Sequence, residues 1–442
     1  MICRSLSLAA LLSLAPVASH AAPVLMVSVD GLRPTDVLEA DKRGINLPTL
    51  TKLAAQGVYA TGVRNVLPTV TYPNHTTLIT GVWPARHGIA NNQTFDPLQK
   101  NFGGWYWYTR DIKVQTLWDA VHGAHGKVAS LSWPVSVGAT SIDFDIPEYW
   151  RAQNPEDLKL VRALATPGLV DSLEKATGLS LADADGDTIA ADTGRDRFAA
   201  ALIAAHHPAF TTVHLRALDH VEHVSGPGSP EARAALEQLD DSIGQLIRAA
   251  RKAEPNLVVA IVSDHGFSPV LHDVNLMAPF AAAGLITFDA KTHKPTDWQA
   301  GLWGGPSVAV VLARPDDAAL KAKVAGLLAT LAANPDLGIA RVADAADVAR
   351  MGGTPMASFW VDFKSGYEMG NDPSAPSVSE GSVKGNHGYF PDHPEMRATF
   401  ILAGPGVPAK GSLGEVDMRD IAPTLAKILK VRLPEADGHP LL

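Results

Sequence analysis

The chain has 442 residues, of which 46% are hydrophobic, with a single cysteine and a formal net charge of −9. This apolar content is sufficient for one large α/β core with an inserted lobe, or for two domains. The negative charge and the lack of a basic cluster argue against nucleic acid or an anionic membrane surface as a partner. We therefore expect a small-molecule substrate.

The first 22 residues have the pattern of a secretory signal. Arg4 supplies the positive charge, residues 5–17 form an apolar stretch too short to span a bilayer, and residues 18–22 offer small side chains for cleavage. Cys3 lies in the segment to be removed, so we expect a mature chain without disulfide or thiolate ligand. These features predict a periplasmic or secreted protein, and no further apolar run is long enough for a membrane span.

Three continuous apolar runs are each followed by side chains that can bind metals. The runs are residues 24–29, 210–218 and 257–262. The polar residues that follow them are Asp30, Asp219, Asp264 and His265. Continuous hydrophobicity favours strands that are covered on both faces, as in a parallel sheet. Since ligands bind outside the carboxyl ends of such strands, one crevice would collect these side chains.

Helical patterns alternate with these strands and predict an α/β fold, with a mostly parallel central sheet between helices. They cover residues 47–56, 195–206, 230–253 and, after a strand at 398–403, residues 418–429. Two segments rich in Pro, Gly and Trp interrupt the alternation, and we interpret residues 94–193 and 269–385 as insertions. The expected organisation is a single catalytic domain over residues 23–442. The run 183–187 resembles a calcium loop but lacks its acidic twelfth position, which favours an acidic turn.

Two further histidines complete a possible metal site. Asp219 and His223 are four residues apart, so one helical turn would place them side by side, although His220 is an equally available partner. His387 lies in a glycine-flanked loop, where a large side chain can approach an ion. Each residue alone has an ordinary structural explanation, such as a turn or a surface contact. Together they form a mixed nitrogen and oxygen set typical of a two-metal site.

Thr71 is a candidate nucleophile. Pro73 suits a first helical turn, residues 74–80 can continue the helix, and Gly81 can end it. Thr71 would then lie at or near the N-cap, where free N–H groups stabilise an anion. A hydroxyl that only caps the helix is the alternative role, and Thr69 is the rival nucleophile.

Six segments, taken in order, resemble the nucleotide pyrophosphatase/phosphodiesterase branch of the alkaline phosphatase superfamily, in a bacterial, exported form. They are residues 29–34, 71–75, 80–89, 219–223, 263–266 and 386–388. The resemblance implies an alkaline-phosphatase-like core and two zinc ions, with manganese possible. It implies one ion held by Asp219, His223 and His387, and the other by Asp30, Thr71, Asp264 and His265.

The same resemblance implies roles for residues around Thr71. Asn92 would donate a hydrogen bond to a non-bridging phosphate oxygen. Tyr72 would stack against a base, with Tyr149 as a second wall. Thr71 would form a phosphothreonine intermediate.

The predicted function is exported, two-metal hydrolysis of phosphodiester or pyrophosphate bonds of nucleotides. A monoester carries a third charged oxygen and usually needs a cationic side chain to meet it, whereas Tyr72, Pro73, Asn74 and Asn92 are neutral. A phosphomonoesterase and a phosphonate hydrolase with the same metals are the alternatives. An exported metal-binding or nucleotide-binding protein without turnover is a further one, but it would have no use for Thr71 at the metals.

Overall fold

A computed structural model of the chain describes residues 21–101, 103–149 and 156–442. Residues 1–20, which include Cys3 and most of the predicted signal, lie outside the described residues. Within the described ranges, each helix is too short or too polar to cross a bilayer.

The structure contains twenty strands in these ranges. They are β1 (Val24–Val29), β2 (Val58–Tyr59), β3 (Gly62–Arg64), β4 (Val128–Leu131), β5 (Phe144–Ile146), β6 (Phe210–Leu215), β7 (Val258–Val262), β8 (Ser268–Val274), β9 (Ile286–Phe288), β10 (Pro295–Trp298), β11 (Ala300–Gly304), β12 (Ser307–Leu312), β13 (Ile339–Asp344), β14 (Phe359–Phe363), β15 (Gly366–Met369), β16 (Val378–Glu380), β17 (Gly385–Asn386), β18 (Phe400–Ala403), β19 (Gly411–Ser412) and β20 (Glu415–Asp417).

Fifteen α-helices are described. They are α1 (Pro34–Leu38), α2 (Ala40–Arg43), α3 (Pro48–Gln56), α4 (Thr71–Thr80), α5 (Pro84–His87), α6 (Leu117–Gly123), α7 (Leu158–Leu164), α8 (Leu169–Thr177), α9 (Ile189–His206), α10 (Ala217–Ser225), α11 (Pro230–Ala253), α12 (Met277–Ala282), α13 (Ala318–Ala332), α14 (Ala345–Arg350) and α15 (Ile421–Ile428).

An eight-stranded sheet forms the centre of the fold, in the order β19-β2-β18-β7-β1-β6-β4-β5. Strands β5, β4, β6, β1 and β7 run parallel, whereas β18 is antiparallel to both β7 and β2. Side chains of β1 alternate between two hydrophobic cores. Leu25 and Val27 pack with residues of α3, α9 and α11, and Val24 and Met26 pack with residues of α4, α6 and α15. Helices therefore cover both faces, which confirms the predicted α/β sandwich.

The predicted insertions differ from each other in the structure. Strands β4 and β5 come from residues 94–193 and join the central sheet, so this segment is not wholly an insertion as we expected. These two strands are short and lie among Pro, Gly and Trp residues, so their hydrophobic pattern is too weak to predict them from the sequence. Most of residues 269–385 form a lobe of their own. Its four-stranded antiparallel sheet, β11-β12-β14-β13, lies over a separate hydrophobic core.

The strand ends that carry the polar residues agree with the predicted bounds, with one exception. Strand β1 ends at Val29 and β7 at Val262, as predicted. Strand β6 ends at Leu215, and the predicted strand end at residue 218 is wrong because α10 begins at Ala217. Asp219 consequently projects from the first turn of a helix.

Candidate metal centre and adjoining cavity

The predicted ligands meet at the carboxyl edge of the central sheet. One group consists of Asp219, His223 and His387, whose ligand atoms all lie within 4.8 Å of one another. The Asp219 carboxylate is 3.4 Å from His223 Nε2 through Oδ1 and 3.4 Å from His387 Nε2 through Oδ2. One turn of α10 places Asp219 and His223 on the same face. His220 is exposed on the same helix and does not belong to this group.

The second group consists of Asp30, Asp219 and His265, again within 4.8 Å. His265 Nε2 lies 3.3 Å from Asp30 Oδ1 and 3.1 Å from Asp264 Oδ2. The rings of His265 and His387 stack with centroids 3.5 Å apart, which joins the two groups. The structure therefore brings all six predicted side chains together, with Asp219 between the two groups.

Backbone carbonyls fix the orientation of the three histidines. His223 Nδ1 lies 3.0 Å from Gly385 O, His265 Nδ1 lies 3.2 Å from Gly266 O, and His387 Nδ1 lies 3.2 Å from Thr69 O. A carbonyl only accepts hydrogen bonds, so each Nδ1 carries a proton and each Nε2 points toward the carboxylates. Burial lowers the pKa of His223, but Asp219 outweighs it and raises this pKa to about 9, so a cation would replace the second proton of this imidazole. An Nδ1 held by a carbonyl and an Nε2 turned to carboxylates is the arrangement of metal-binding histidines.

Two glycines permit these contacts. A Cβ on Gly266 would lie 2.1 Å from Glu395 O, and one on Gly385 would lie 2.7 Å from Glu222 O. Both distances are shorter than any real Cβ contact, so larger residues would displace the loops that carry the carbonyl acceptors. The glycines following Asp264-His265 and preceding His387 thus serve close backbone packing.

The carboxylate and imidazole groups of these two clusters are suited to binding cations. Within the described residues, Asp30 Oδ1, Asp219 Oδ2 and Asp264 Oδ2 are buried without a hydrogen-bond partner. Burial raises the pKa of Asp30 well above its usual range, and the charges of Asp264 and Asp219 raise it further. Buried carboxylates are costly unless paired with positive charge. Imidazole and carboxylate ligands suit zinc, with manganese as an alternative.

A third possible group, Asp362, Asp392 and His393, lies elsewhere. Arg341 already pairs with Asp392 at 2.8 Å, and His393 Nε2 lies 2.9 Å from Asp362 Oδ2. These contacts balance the charge of the group, so it does not present the orphaned carboxylates of the first two.

Thr71 is the first residue of α4, which confirms the predicted helix start; Gly81 ends the helix. Its hydroxyl oxygen is 3.5 Å from His265 Nε2. Thr69, the rival, is fully buried; its hydroxyl donates to Tyr389 O at 2.7 Å and accepts from Gly388 N. The hydroxyl of Thr69 is thus used in holding the His387 loop, whereas that of Thr71 faces the metal ligands.

Asn92 lies beside Thr71 with a defined amide orientation. Its Oδ1 accepts a hydrogen bond from the backbone N–H of Tyr72 at 2.8 Å. Because Oδ1 is used in this way, Nδ2 is the atom that can donate into the cavity that Asn92 lines.

The two tyrosines of the predicted aromatic wall pack against tryptophans. Tyr72 is 0% exposed and meets Trp105 edge-on at 5.1 Å, so no face of its ring can stack on a base. Tyr149 is half-buried and packs 4.7 Å from Trp107. Trp105, which was not predicted from the sequence, is the one tryptophan among the described residues that lines the same cavity as Thr71.

Two adjoining cavities flank Thr71 and the metal ligands. One, of about 200 Å³, extends from Thr71 and Asp30 to Glu148 and Arg216. The other, of about 430 Å³, runs past His387 to Trp303 and the Gly304–Gly305–Pro306 turn. Asn92, Trp105, His223 and His387 line both. A ligand at Thr71 can therefore extend in two directions.

A buried polar chain that was not predicted from the sequence leads from Asp30 into the smaller cavity. His214 Nε2 lies 3.0 Å from Asp30 Oδ2, and its Nδ1 lies 2.8 Å from Glu148 Oε2. The one available signal was a histidine within the apolar run of β6. Arg216, which lines the same cavity, pairs with Asp185 at 2.9 Å and Asp187 at 3.2 Å. These aspartates belong to the run interpreted as an acidic turn.

Comparison with known proteins is consistent with this geometry. A sequence model of the family described as type I phosphodiesterase/nucleotide pyrophosphatase matches residues 24–390. Ectonucleotide pyrophosphatase/phosphodiesterase family member 1 of Rattus norvegicus is 27% identical over 261 residues, 57% of this chain and 24% of that protein. Venom phosphodiesterase of Macrovipera lebetinus is 25% identical over 260 residues, which are 56% of this chain and 26% of that protein. The matches thus span about a quarter of these relatives.

Solved structures show the same fold. Human ectonucleotide pyrophosphatase/phosphodiesterase 5 superposes with a TM-score of 0.65 at 20% identity, covering 94% of this chain and 97% of that one. The murine protein, as an inactive threonine-to-alanine variant in complex with AMP, gives 0.65 at 19% identity with the same coverage. The predicted alkaline-phosphatase-like fold is thereby confirmed.

The two neighbouring histidines of α10 allow a matched test of the ligand set. We expect His223→Ala to weaken metal binding at one site by at least about 100-fold, since loss of even an outer partner of a ligand typically costs 10- to 100-fold. His220→Ala should leave metal content unchanged, because its side chain stands outside the group. Metal per folded chain, measured by mass spectrometry after dialysis, checks this. If His220→Ala lost metal and His223→Ala did not, then His220 and not His223 would be the partner of Asp219.

Proposed function

The chain belongs to the type I phosphodiesterase/nucleotide pyrophosphatase family, and from this membership we propose that it hydrolyses phosphodiester or pyrophosphate bonds of nucleotides through Thr71. The observation that carries the proposal is the Thr71 hydroxyl at the start of α4, 3.5 Å from His265 Nε2 and facing the metal ligands. A protein that only bound metals or nucleotides would need no hydroxyl there.

The proposed ligand sets are those of the sequence analysis. Asp219, His223 and His387 would hold one cation, and Asp30, Thr71, Asp264 and His265 the other. When bound, two such cations supply positive charge that offsets the charge developing on the phosphate oxygens. The orphaned oxygens of Asp30, Asp219 and Asp264 support this assignment.

Thr71 would act as the nucleophile. Its Oγ1 loses a proton and bonds to phosphorus, and the ester oxygen on the opposite side leaves with its bonding electron pair and takes up a proton. A phosphothreonine that still carries the retained substituent results. Water then displaces Oγ1 from phosphorus and restores the hydroxyl. The free N–H groups at the start of α4 and the Asn92 amide would stabilise the non-bridging oxygens throughout.

A diester is favoured over a monoester by the charges around Thr71. Arg216 lines the cavity, which the sequence analysis did not anticipate, but its guanidinium pairs with carboxylates of Asp185 and Asp187. A third carboxylate, that of Glu148, has its Oε2 3.8 Å from Arg216 Nη1. The arginine is thus committed to acidic partners and is poorly suited to meet the additional charge of a monoester.

The nucleotide class and the cellular location complete the proposal. The AMP held by the murine structural neighbour supports a nucleotide as one part of the substrate. Zinc is the proposed metal, with manganese as an alternative. The signal pattern of residues 1–22 supports export to the periplasm or beyond, where these ligands would operate without a thiolate.

The proposed nucleophile predicts a covalent intermediate. With a nitrophenyl phosphodiester, acid quenching during turnover should trap the phosphoryl group, still esterified to the retained alcohol, on the peptide that contains Thr71, seen by mass spectrometry. Thr71→Ala should retain its metals but lose at least about 1,000-fold in kcat, since the attacking atom is gone. Thr71→Ser is the matched control, because it keeps a hydroxyl and should form the corresponding phosphoserine. Phosphate trapped on another residue, or full activity of Thr71→Ala, would refute the role.

The charges around Thr71 predict a preference between ester types. We expect kcat/KM for bis-p-nitrophenyl phosphate to exceed that for p-nitrophenyl phosphate by at least about tenfold, equivalent to ~1.4 kcal/mol in transition-state binding. Both substrates release the same nitrophenolate, so one absorbance assay on one metal-loaded preparation compares them. A higher value for the monoester would move the chain to the phosphatase alternative.

A further inference from the structure

A cavity of about 410 Å³, here called the arginine cavity, lies between the core and the inserted lobe, and none of the predicted metal ligands lines it. Among the described residues its charged lining consists of four arginines and two aspartates: Arg64, Arg341, Arg350, Arg419, Asp392 and Asp417. Four positive and two negative side chains leave an excess of two positive charges, in a chain whose formal net charge is −9. Cavities of this size at the junction of two lobes commonly bind small ligands.

The four arginines reach the cavity from two parts of the fold. In the core, Arg64 is the last residue of β3, and Arg419 lies just before α15. In the lobe, Arg341 lies on β13 and Arg350 is the last residue of α14. Guanidinium groups that line one cavity repel each other. An anion between the core and the lobe would replace this repulsion by attraction on both sides.

Two of the arginines are held in place by partners. Arg419 donates to both oxygens of Asp417 at 2.8 Å, and its guanidinium lies 3.7 Å from the centre of the Trp83 ring. Arg350 pairs with the carboxylate of Asp347. These contacts fix the two positive groups before a ligand arrives, which reduces the entropy lost on binding.

The other two arginines keep donors for a ligand. Arg64 is exposed, and its side chain makes no hydrogen bond within the described part of the chain. Its Nε lies 3.8 Å from Asp417 Oδ2, and an exposed pair at this distance is weak. Arg341 uses Nη2 on Asp392 at 2.8 Å, and its Nε lies 3.8 Å from Asp362 Oδ2. A guanidinium with free N–H groups can donate two parallel hydrogen bonds to phosphate oxygens.

The excess charge favours a dianion over a monoanion. A phosphate diester carries one negative charge, whereas a phosphate monoester carries nearly two above its second pKa of about 6. Trp83 is the one aromatic side chain among the described residues that line the cavity. Arg419 lies over its ring, which also packs directly against Gly352. Recognition would therefore depend on the phosphate group and not on the stacking of a base.

We propose that the arginine cavity is a second anion site, which binds the dianionic phosphate group of a phosphomonoester or of inorganic phosphate between the core and the lobe. Arg64 and Arg341 supply the free donors, and Arg350 and Arg419 add positive charge. The site binds phosphate through guanidinium groups and without metals, so it does not depend on the proposed activity. A phosphomonoester is nevertheless what the hydrolysis of a phosphodiester releases, and the site is thus suited to the product and not to the substrate.

Calorimetry of the metal-loaded protein with inorganic phosphate, at about pH 8, tests the site. The metal centre can also bind phosphate, so the second site is identified by the binding that arginine variants weaken. We expect Arg341→Gln and Arg64→Gln each to weaken one binding event at least about tenfold, because each substitution removes charge-assisted hydrogen bonds. Both side chains are exposed, so these variants should fold.

Arg314→Gln is the matched control. Arg314 is an exposed arginine of the lobe that pairs with Asp317 at 3.2 Å and does not line the cavity. It should bind phosphate as the wild type does. Equal phosphate binding by the wild type and all three variants overturns the proposal. An equal loss in Arg314→Gln also overturns it, since that result would show a general effect of net charge.

A matched pair of nucleotides tests the preference for a dianion. AMP and cyclic AMP share one nucleoside, but AMP is a phosphate monoester and cyclic AMP a diester. Both are titrated into metal-loaded Thr71→Ala and into the double variant Thr71→Ala/Arg341→Gln, which should not turn them over. We expect Arg341→Gln to weaken AMP at least about tenfold and cyclic AMP less than about threefold. Equal effects on the two nucleotides contradict the proposal.

The same titrations identify the source of the phosphate group. Inorganic phosphate that binds the second site as tightly as AMP shows that the phosphate group alone is recognised, whereas tighter binding of AMP identifies a phosphomonoester as the ligand. Binding is measured without turnover. A chain that hydrolyses no diester would refute the proposed function and leave this test of the anion site intact.

Discussion

The structure depends on three aspartate oxygens at the carboxyl edge of the central sheet, which are buried without a hydrogen-bond donor among the described residues. Asp30, Asp219 and Asp264 each contribute one of them. Burial raises the pKa of all three carboxyl groups; at Asp219 and Asp264 the neighbouring histidines outweigh it and lower the pKa, whereas Asp30 keeps a pKa well above its usual range, so the imidazoles offset the cost of burial only in part. Cations resolve this conflict, and the parallel strands β1 and β7 set where the cations must lie.

The surroundings of the ligands make the arrangement rigid. Carbonyls of Gly385, Gly266 and Thr69 fix the three imidazoles, and the glycines allow these segments to approach closely. Asp30 is held from the other side by His214, which itself contacts Glu148. A buried polar chain of Asp30, His214 and Glu148 thus supports one of the proposed metal ligands.

Much of this could be predicted from the sequence because it follows local patterns. Continuous apolar runs located β1 and β7, and the four-residue spacing of Asp219 and His223 required only one helical turn. Thr71 was recognisable because Pro73 and Gly81 mark the two ends of a short helix. The predicted end of the strand before Asp219 was wrong. The apolar run continues from β6 into α10, and the sequence alone does not show where the strand ends and the helix begins.

The remainder depends on contacts between distant segments. No local pattern shows that Tyr72 is covered by Trp105, or that Glu148 meets His214 across the sheet. Strands β4 and β5 were also hidden among Pro, Gly and Trp, although they complete the parallel edge. These features shape the surroundings of Thr71, and they were less predictable than the metal ligands because they depend on such distant contacts.

Anomalous X-ray scattering above the zinc edge, measured on crystals of zinc-loaded protein, tests the central claim most directly. We predict two peaks, one between Asp219, His223 and His387 and one beside Asp30 and His265, with the Thr71 hydroxyl next to the second. A single peak, or peaks at Asp362, Asp392 and His393 instead, would contradict the account of a two-metal centre built around orphaned carboxylates.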